Sequence, residues 1–327
     1  MPGLVDLALG TVLPRVATIA LLISVGVALA DLLVGLGAVR AIAGLSRPLT
    51  GPANLPEEVG TAILTTTAST TAGYGMLAEF RESGTLDDRA TLVAVTINTF
   101  FGFVQHVFTF YAPVLIPILG LEVGLLYVGA RAAVALAITC TGVVAGALLL
   151  DDRADRAATP TVEADGSGGS GGSDDRPLPV LLRDAVERGL GKTRDVLPRL
   201  LVVYAAVALL TARYDLTRVG GAADPLADLI GLPVAAIPVI AVFTLDTTNG
   251  ALVLAPLVED GVFTPRTAVA TMLVGGVVSF AVSTFKRSIP FQYGIWGAEF
   301  GSKVVLVNTA LKVFWIAVAV VLLLAWP

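Results

Sequence analysis

The sequence has few charged residues, a single cysteine and a single histidine. Charged residues make up 14% of the 327 residues and hydrophobic residues make up 55%. A soluble domain carries about 25% charged residues, so the composition excludes an ordinary soluble globule. Cys140 alone excludes an internal disulfide, and His106 alone excludes a site with several histidine ligands. The sequence therefore predicts no metal site and no cofactor.

A basic surface is also absent. The net charge is −5, and no cluster of Lys and Arg is present, which excludes nucleic acid as a partner. With one cysteine, one histidine and no metal-ligand motif, the chain has few residues for a catalytic centre. We therefore predict that the protein is not an enzyme.

The charges that are present concentrate in the middle of the chain. Residues 151–195 contain 7 of the 21 Lys and Arg residues and 10 of the 26 Asp and Glu residues. The flanking blocks, 1–150 and 196–327, contain several apolar runs of about 20 residues, the length that spans a bilayer. This pattern predicts an all-α integral protein of the cell membrane, crossing the lipid bilayer several times. The first run is expected to be retained, because the residues before Arg15 lack the positive charge of a signal peptide.

The polar middle divides into two parts. Residues 151–176 are acidic and rich in Gly and Ser, which is typical of a disordered linker. Residues 177–195 alternate apolar and charged positions at helical spacing and predict an amphipathic helix at the membrane interface. We expect this whole segment, 151–195, on the cytoplasmic side.

The two apolar blocks are related by an internal duplication. When the sequence is shifted by 177 positions, 16 of the 58 residues from 67 to 124 are identical to their counterparts. The matched residues include Gly, Pro, Glu and Arg, which are uncommon in membrane helices. The sequence thus predicts two homologous membrane repeats, with cores at about 62–124 and 239–301.

Within each repeat, one stretch is too polar at its centre for a plain span. Residues 55–84 and 232–261 each consist of two apolar arms of 10–12 residues joined by a Thr-rich centre. Half-length arms predict a re-entrant hairpin, and one broken helix that crosses the membrane is the alternative. Re-entrant hairpins leave about three spans per repeat and an inverted arrangement, as in many transporters. Hairpins that cross the membrane fully give each repeat an even number of crossings and place the two repeats in parallel orientation.

The polar centres of the two stretches are the predicted solute site. Polar groups in the membrane are costly unless they face a cavity or a partner. Hydroxyls that bond back to the preceding helical turn are the structural alternative. The candidate residues are Thr67, Ser69, Thr70 and Thr71 in the first centre, and Thr244, Asp246, Thr247, Thr248 and Asn249 in the second.

Asp246 is the most informative single residue, because it is the acidic side chain of the second centre. Lys286 and Arg287, in the next polar stretch with Ser283, are the expected counter-charges. The carboxylate forms either a structural ion pair with them or a proton or cation site.

Four further polar residues complete the candidate site. Asn98 and His106 lie in the span that follows the first centre. His106 titrates near neutral pH when unperturbed, although a structural role is also open. Glu122 and Glu299 occupy matched positions between glycines, where each could bind a solute or cap the following helix.

Several of these residues resemble a known repeat. Thr70 to Gly73, Phe80 to Arg89 and the polar span 91–111 resemble the Gate, or nucleoside-recognition, repeat, and 244–272 resembles it again. This repeat occurs in the membrane domain of ferrous-iron transporters, in concentrative nucleoside transporters and in spore-maturation membrane proteins. The resemblance implies paired hairpins around a site at the membrane midplane and a role in transport.

We therefore predict a secondary transporter or permease for a small polar solute or ion. A non-transporting scaffold or subunit of a membrane assembly is the alternative, and the paired polar centres favour transport over it. An intramembrane enzyme is a further alternative, which the single histidine, the single cysteine and the lack of a metal-ligand motif disfavour. Self-association into a homo-oligomer is compatible with the sequence.

Overall fold

The structure, a computed structural model, describes residues 8–35, 50–150, 178–213, 231–284 and 288–325. The linker 151–176 lies outside these ranges. Regular structure within them is helical, as predicted. The helices are α1 (Leu13–Gly35), α2 (Glu57–Ala68), α3 (Thr70–Glu82), α4 (Asp88–Ile97), α5 (Thr99–His106), α6 (Ile116–Leu119), α7 (Leu121–Leu149), α8 (Leu178–Arg213), α9 (Ala236–Leu245), α10 (Thr247–Glu259), α11 (Pro265–Ser283) and α12 (Ile289–Ala325).

Three of the described helical segments are long and apolar enough to cross a membrane. They are Asp88–Leu119, in which a π-helical turn joins α5 to α6, Leu121–Leu149 and Ile289–Ala325. Three apolar helices of 10–17 residues accompany them: Leu13–Leu29, Ala236–Leu245 and Pro265–Phe280. The described part of the chain is thus all-helical, and the chain is a membrane protein, as its composition predicted.

Two helix pairs, α2–α3 and α9–α10, are each interrupted at one extended residue. Ser69 has φ −146° and ψ 109°, and Asp246 has φ −155° and ψ 125°. Each side chain caps the helix that follows. Ser69 accepts a hydrogen bond from the Ala72 N–H at 3.3 Å, and Asp246 accepts one from the Asn249 N–H at 2.9 Å. The breaks therefore lie where the two polar centres were predicted, 177 positions apart.

The two helices of each pair pack closely because a glycine faces the preceding helix. A Cβ atom on Gly73 would lie 1.9 Å from Thr66 Oγ1 and 2.7 Å from the Ala62 carbonyl oxygen. A Cβ on Gly250 would lie 2.6 Å from the Cα of Phe243. Residues on both sides of each break are thus in contact.

Gly73→Ala is expected to destabilise the protein by about 1–3 kcal/mol, because the new methyl group overlaps the backbone of α2. Gly75→Ala, in the same helix, is the matched control, since nothing lies within 4 Å of its added Cβ. That change should leave stability equal or raise it by up to about 1 kcal/mol through helix propensity. Thermal unfolding of the two purified variants measures the difference, and equal melting temperatures would contradict the close packing.

Each helix pair also packs against the other half of the chain. The ring of Tyr74, in α3, lies 5.7 Å from that of Phe291 and 6.3 Å from that of Trp296, both in α12. Helix α10 packs against α6, and Glu259 at its end forms an ion pair with Arg15 of α1. The two halves are thus joined through their helix pairs.

The amphipathic segment 177–195 continues directly into the following apolar run as one helix, α8. This helix packs along α1. The hydroxyls of Thr193 and Ser24 are 2.6 Å apart, and a Cβ on Gly189 would lie 2.4 Å from the Ser24 carbonyl oxygen. The charged part of α8 is therefore in contact with an apolar helix of the first half.

Candidate functional site

The threonines at the first helix break make two kinds of hydrogen bond. Thr67 is buried, and its hydroxyl donates to the Leu64 carbonyl oxygen at 2.6 Å, so it bonds back to its own helix. Thr70 reaches further, because its hydroxyl donates to Gln105 Oε1 of α5 at 3.0 Å. Ser69 is half-buried and Thr71 is exposed. Thr70 thus links the break to the neighbouring span.

The second break is organised around Asp246. The Thr244 hydroxyl donates to the Ile240 carbonyl oxygen at 2.7 Å, and the Thr244 carbonyl accepts from Ser279 of α11 at 3.2 Å. Asp246, Thr247 and Thr248 are half-buried. The Asp246 carboxylate lies at the N-terminus of α10, where the helix dipole favours a negative charge.

Two asparagines of the predicted site have buried amide atoms without a partner. Asn98, between α4 and α5, is 1% exposed, and among the described residues neither its Nδ2 nor its Oδ1 makes a hydrogen bond. The Asn249 Oδ1 atom is in the same state. An unsatisfied buried polar group costs about 1–3 kcal/mol, so these atoms are suited to receive a polar ligand or water.

The neighbouring backbone groups of Asn98 have hydrogen-bond partners, so the lack of a partner is confined to its side chain. Thr139 of α7 donates to the Ile97 carbonyl oxygen at 2.9 Å and accepts from the Phe100 N–H at 3.2 Å. One threonine therefore completes the backbone on both sides of Asn98 and leaves its side chain unpaired.

The remaining candidates are His106 and the two glutamates. His106 is exposed, and its Nδ1 lies 3.2 Å from the Gly102 carbonyl oxygen. Glu122 is exposed in the first turn of α7. Glu299 has a side chain that is 93% exposed, and its Oε1 lies 3.8 Å from Lys303 Nζ. Glu122 thus follows the start of α7. Glu299 follows Gly297, a non-helical residue within α12 (φ 73°, ψ 168°), so each glutamate lies where a negative charge stabilises the helical segment that follows.

The expected counter-charges of Asp246 are Lys286 and Arg287. Lys286 and Arg287 lie outside the described residues, and of Ser283 only the backbone, in α11, is described. Gln105 was not among the predicted site residues, although it contacts Thr70. It is a polar residue within an apolar span, and that feature of the sequence could have indicated it. Among the described residues, no three His, Cys, Asp or Glu side chains are grouped to hold a metal ion.

Comparison with known proteins finds two relatives in Methanocaldococcus jannaschii. Uncharacterized protein MJ0880 is 23% identical over 322 residues, which cover 96% of this chain and 99% of the relative. Uncharacterized protein MJ0871 is 25% identical over 248 residues, covering 74% of this chain and 72% of the relative. No family model matches the chain. No solved structure matches it either.

Proposed function

We propose that the protein is a secondary transporter, or permease, that binds a small polar solute or ion between two helix breaks near the midplane of the cell membrane. In this proposal the helix pairs are re-entrant hairpins and belong to inverted repeats, with the linker on the cytoplasmic side. The proposal agrees with the resemblance to the Gate repeat.

Matched backbone conformations support the repeats. The left-handed glycines Gly84 and Gly261 have φ 78° and 73°, and they lie 177 positions apart. Gly120 and Gly297 are separated by the same interval and share φ near 75° (79° and 73°) and ψ near 167° (166° and 168°). A broken helix pair followed by two glycines with positive φ thus occurs twice along the chain, in the same order.

The observation that carries the proposal is that the buried amide of Asn98 and the Oδ1 atom of Asn249 have no hydrogen-bond partner among the described residues. Asn249 belongs to the second polar centre, and Asn98 lies in the span that follows the first polar centre. Unwound backbone and unsatisfied side chains within a membrane are tolerated where they contact protein or line a hydrated cavity. A scaffold protein gains nothing from such groups, whereas a transporter needs them to replace the hydration of its solute.

A ligand screen followed by uptake tests the proposal. Purified protein is screened by thermal unfolding against nucleosides, nucleobases, amino acids, small carboxylates and divalent metal ions. We expect one class to raise the melting temperature, because a ligand that binds only the folded state stabilises it. The same solute should then accumulate in proteoliposomes under an ion gradient. A stabilising ligand that is never taken up would favour the non-transporting alternative.

A further inference from the structure

Two cationic side chains lie deep within long apolar helices. At a rise of 1.5 Å per residue, Arg131 is about 15 Å from the start of α7 and Lys312 is about 20 Å from the end of α12. The hydrocarbon core of a bilayer is about 30 Å thick. If α7 and α12 span the membrane, both charges therefore lie near its middle.

Two buried tyrosines lie beside Arg131. Its guanidinium lies close to Tyr111, which is 6% exposed. Tyr127 lies one helical turn before Arg131, is 3% exposed, and has its ring centroid 6.0 Å from that of Tyr111. The charge is thus flanked by tyrosines of two different spans.

Further positive groups face Arg131. Lys312 of α12 lies within electrostatic range of Arg131, and His106 lies within range of both. The ring of His106 is 6.4 Å from that of Tyr111, which places it at the same cluster. Three basic side chains thus converge from three helices.

No carboxylate of the described residues balances this charge. Ion pairs between described side chains, such as those of Asp88, Glu187, Glu259 and Glu299, do not include Arg131 or Lys312. An uncompensated charge in the membrane interior is costly, and two of like sign also repel each other. The cluster is therefore electrostatically incomplete within the described part of the chain.

We propose that this cluster binds an oxyanion, either a small carboxylate or a phosphate. The planar guanidinium matches both groups with two parallel hydrogen bonds. Lys312 supplies a second charge. One turn before it on the same helix, the buried Asn308 Oδ1 atom has no partner among the described residues, so it can accept an O–H of a hydroxylated or protonated anion. At this depth the occupant is a solute and not a lipid headgroup.

The anion cluster adjoins the first helix break. Gln105, which accepts from Thr70, directly precedes His106, whose ring lies near Tyr111. The inference rests on the proposed function in one respect, since it gives the charge of the solute to be transported. Binding itself can be measured without transport, so the two can fail separately.

The test is the melting temperature of the full chain in detergent, titrated with sodium acetate, sodium phosphate or sodium chloride at equal ionic strength. Acetate or phosphate should raise the melting temperature in a saturable manner and beyond the effect of chloride. An equal response to all three salts would overturn the oxyanion site. That outcome would leave the transport proposal open, since a neutral solute could still be carried.

Three variants separate binding from folding. Arg131→Met and Lys312→Met should each weaken the apparent anion affinity by about tenfold or more, because each removes a charge-assisted contact. Without oxyanion, Lys312→Met should keep or raise the melting temperature, since it relieves repulsion with Arg131. Lys303→Met is the control on the same helix, because Lys303 pairs with Asp88 at 3.1 Å, and its titration midpoint should not change. A Lys312→Met protein with lower stability and an unchanged midpoint would refute the proposal.

Discussion

Asp246→Asn is expected to abolish solute uptake while leaving the melting temperature nearly unchanged. Asparagine caps a helix about as well as aspartate, so the bond to the Asn249 N–H, now 2.9 Å long, can persist. What the change removes is the negative charge. If the carboxylate takes up the coupling proton or cation, uptake requires that charge and folding does not. Proteoliposome uptake and thermal unfolding of the same preparation measure the two effects.

Two alanine variants isolate the capping role. Asp246→Ala removes both the cap and the charge and should lower stability by about 1 kcal/mol. Ser69→Ala removes the corresponding cap of the first helix pair without changing any charge, and should cost about the same. Uptake by the Ser69→Ala protein should persist if its role is capping alone.

Other outcomes for Asp246→Asn point to other roles. A wild-type uptake rate would remove Asp246 from the site. A loss of stability well beyond that of Ser69→Ala would indicate an ion pair, and combination with Lys286→Met or Arg287→Met should then restore it. The structural and the transport interpretations thus give opposite patterns.

A carboxylate at one break and a basic cluster beside the other would suit coupled transport. In our two proposals, Asp246 holds the cation or proton and Arg131 holds an anionic solute. The two sites would then bind charges of opposite sign.

The helix breaks could be predicted from sequence because their causes are local. A capping side chain stands at position 69 or 246, and a small residue follows four positions later, as Gly73 or Gly250. The cap satisfies the free N–H groups of the new helix, and the glycine lets the two helices approach each other. Both signals are read within five residues.

The basic cluster could not be predicted in the same way, because it is a property of packing. Arg131, Tyr111 and Lys312 are distant in sequence and lie on different helices. Alone, each residue is a polar anomaly in an apolar run, with several structural explanations. The pairing of Thr70 with Gln105 likewise depends on how α3 meets α5.

The continuity of α8 shows a different limit. The change from amphipathic to apolar composition near 195 predicted two elements, yet one helix runs from Leu178 to Arg213. Amino-acid composition indicates the environment of each half of α8, whereas the backbone hydrogen bonds of one helix can continue across the boundary between the two halves. Packing of Gly189 and Thr193 against α1 accompanies this continuity.

Asn98→Leu is expected to abolish uptake and to raise stability in the absence of solute. The Asn98 side chain is 1% exposed and its amide atoms are unpartnered among the described residues. Leucine has a similar size and no polar group, so the unfolding free energy should rise by up to about 1–3 kcal/mol. The solute would lose a donor and an acceptor at the same time, and uptake of the solute found by screening should fall to background.

Asn54→Leu is the matched control, because the same substitution at position 54 removes an asparagine that has a hydrogen-bond partner. Asn54 Nδ2 donates to the Leu150 carbonyl oxygen at 2.9 Å, and Asn54 adopts φ 54°, a left-handed conformation that leucine disfavours. Stability should therefore fall when the partnered asparagine is replaced and rise when the unpartnered one is. If Asn98→Leu instead lowered stability and preserved uptake, Asn98 would be a structural residue. The opposite signs of the two changes thus distinguish an amide that holds the fold together from one kept for a ligand.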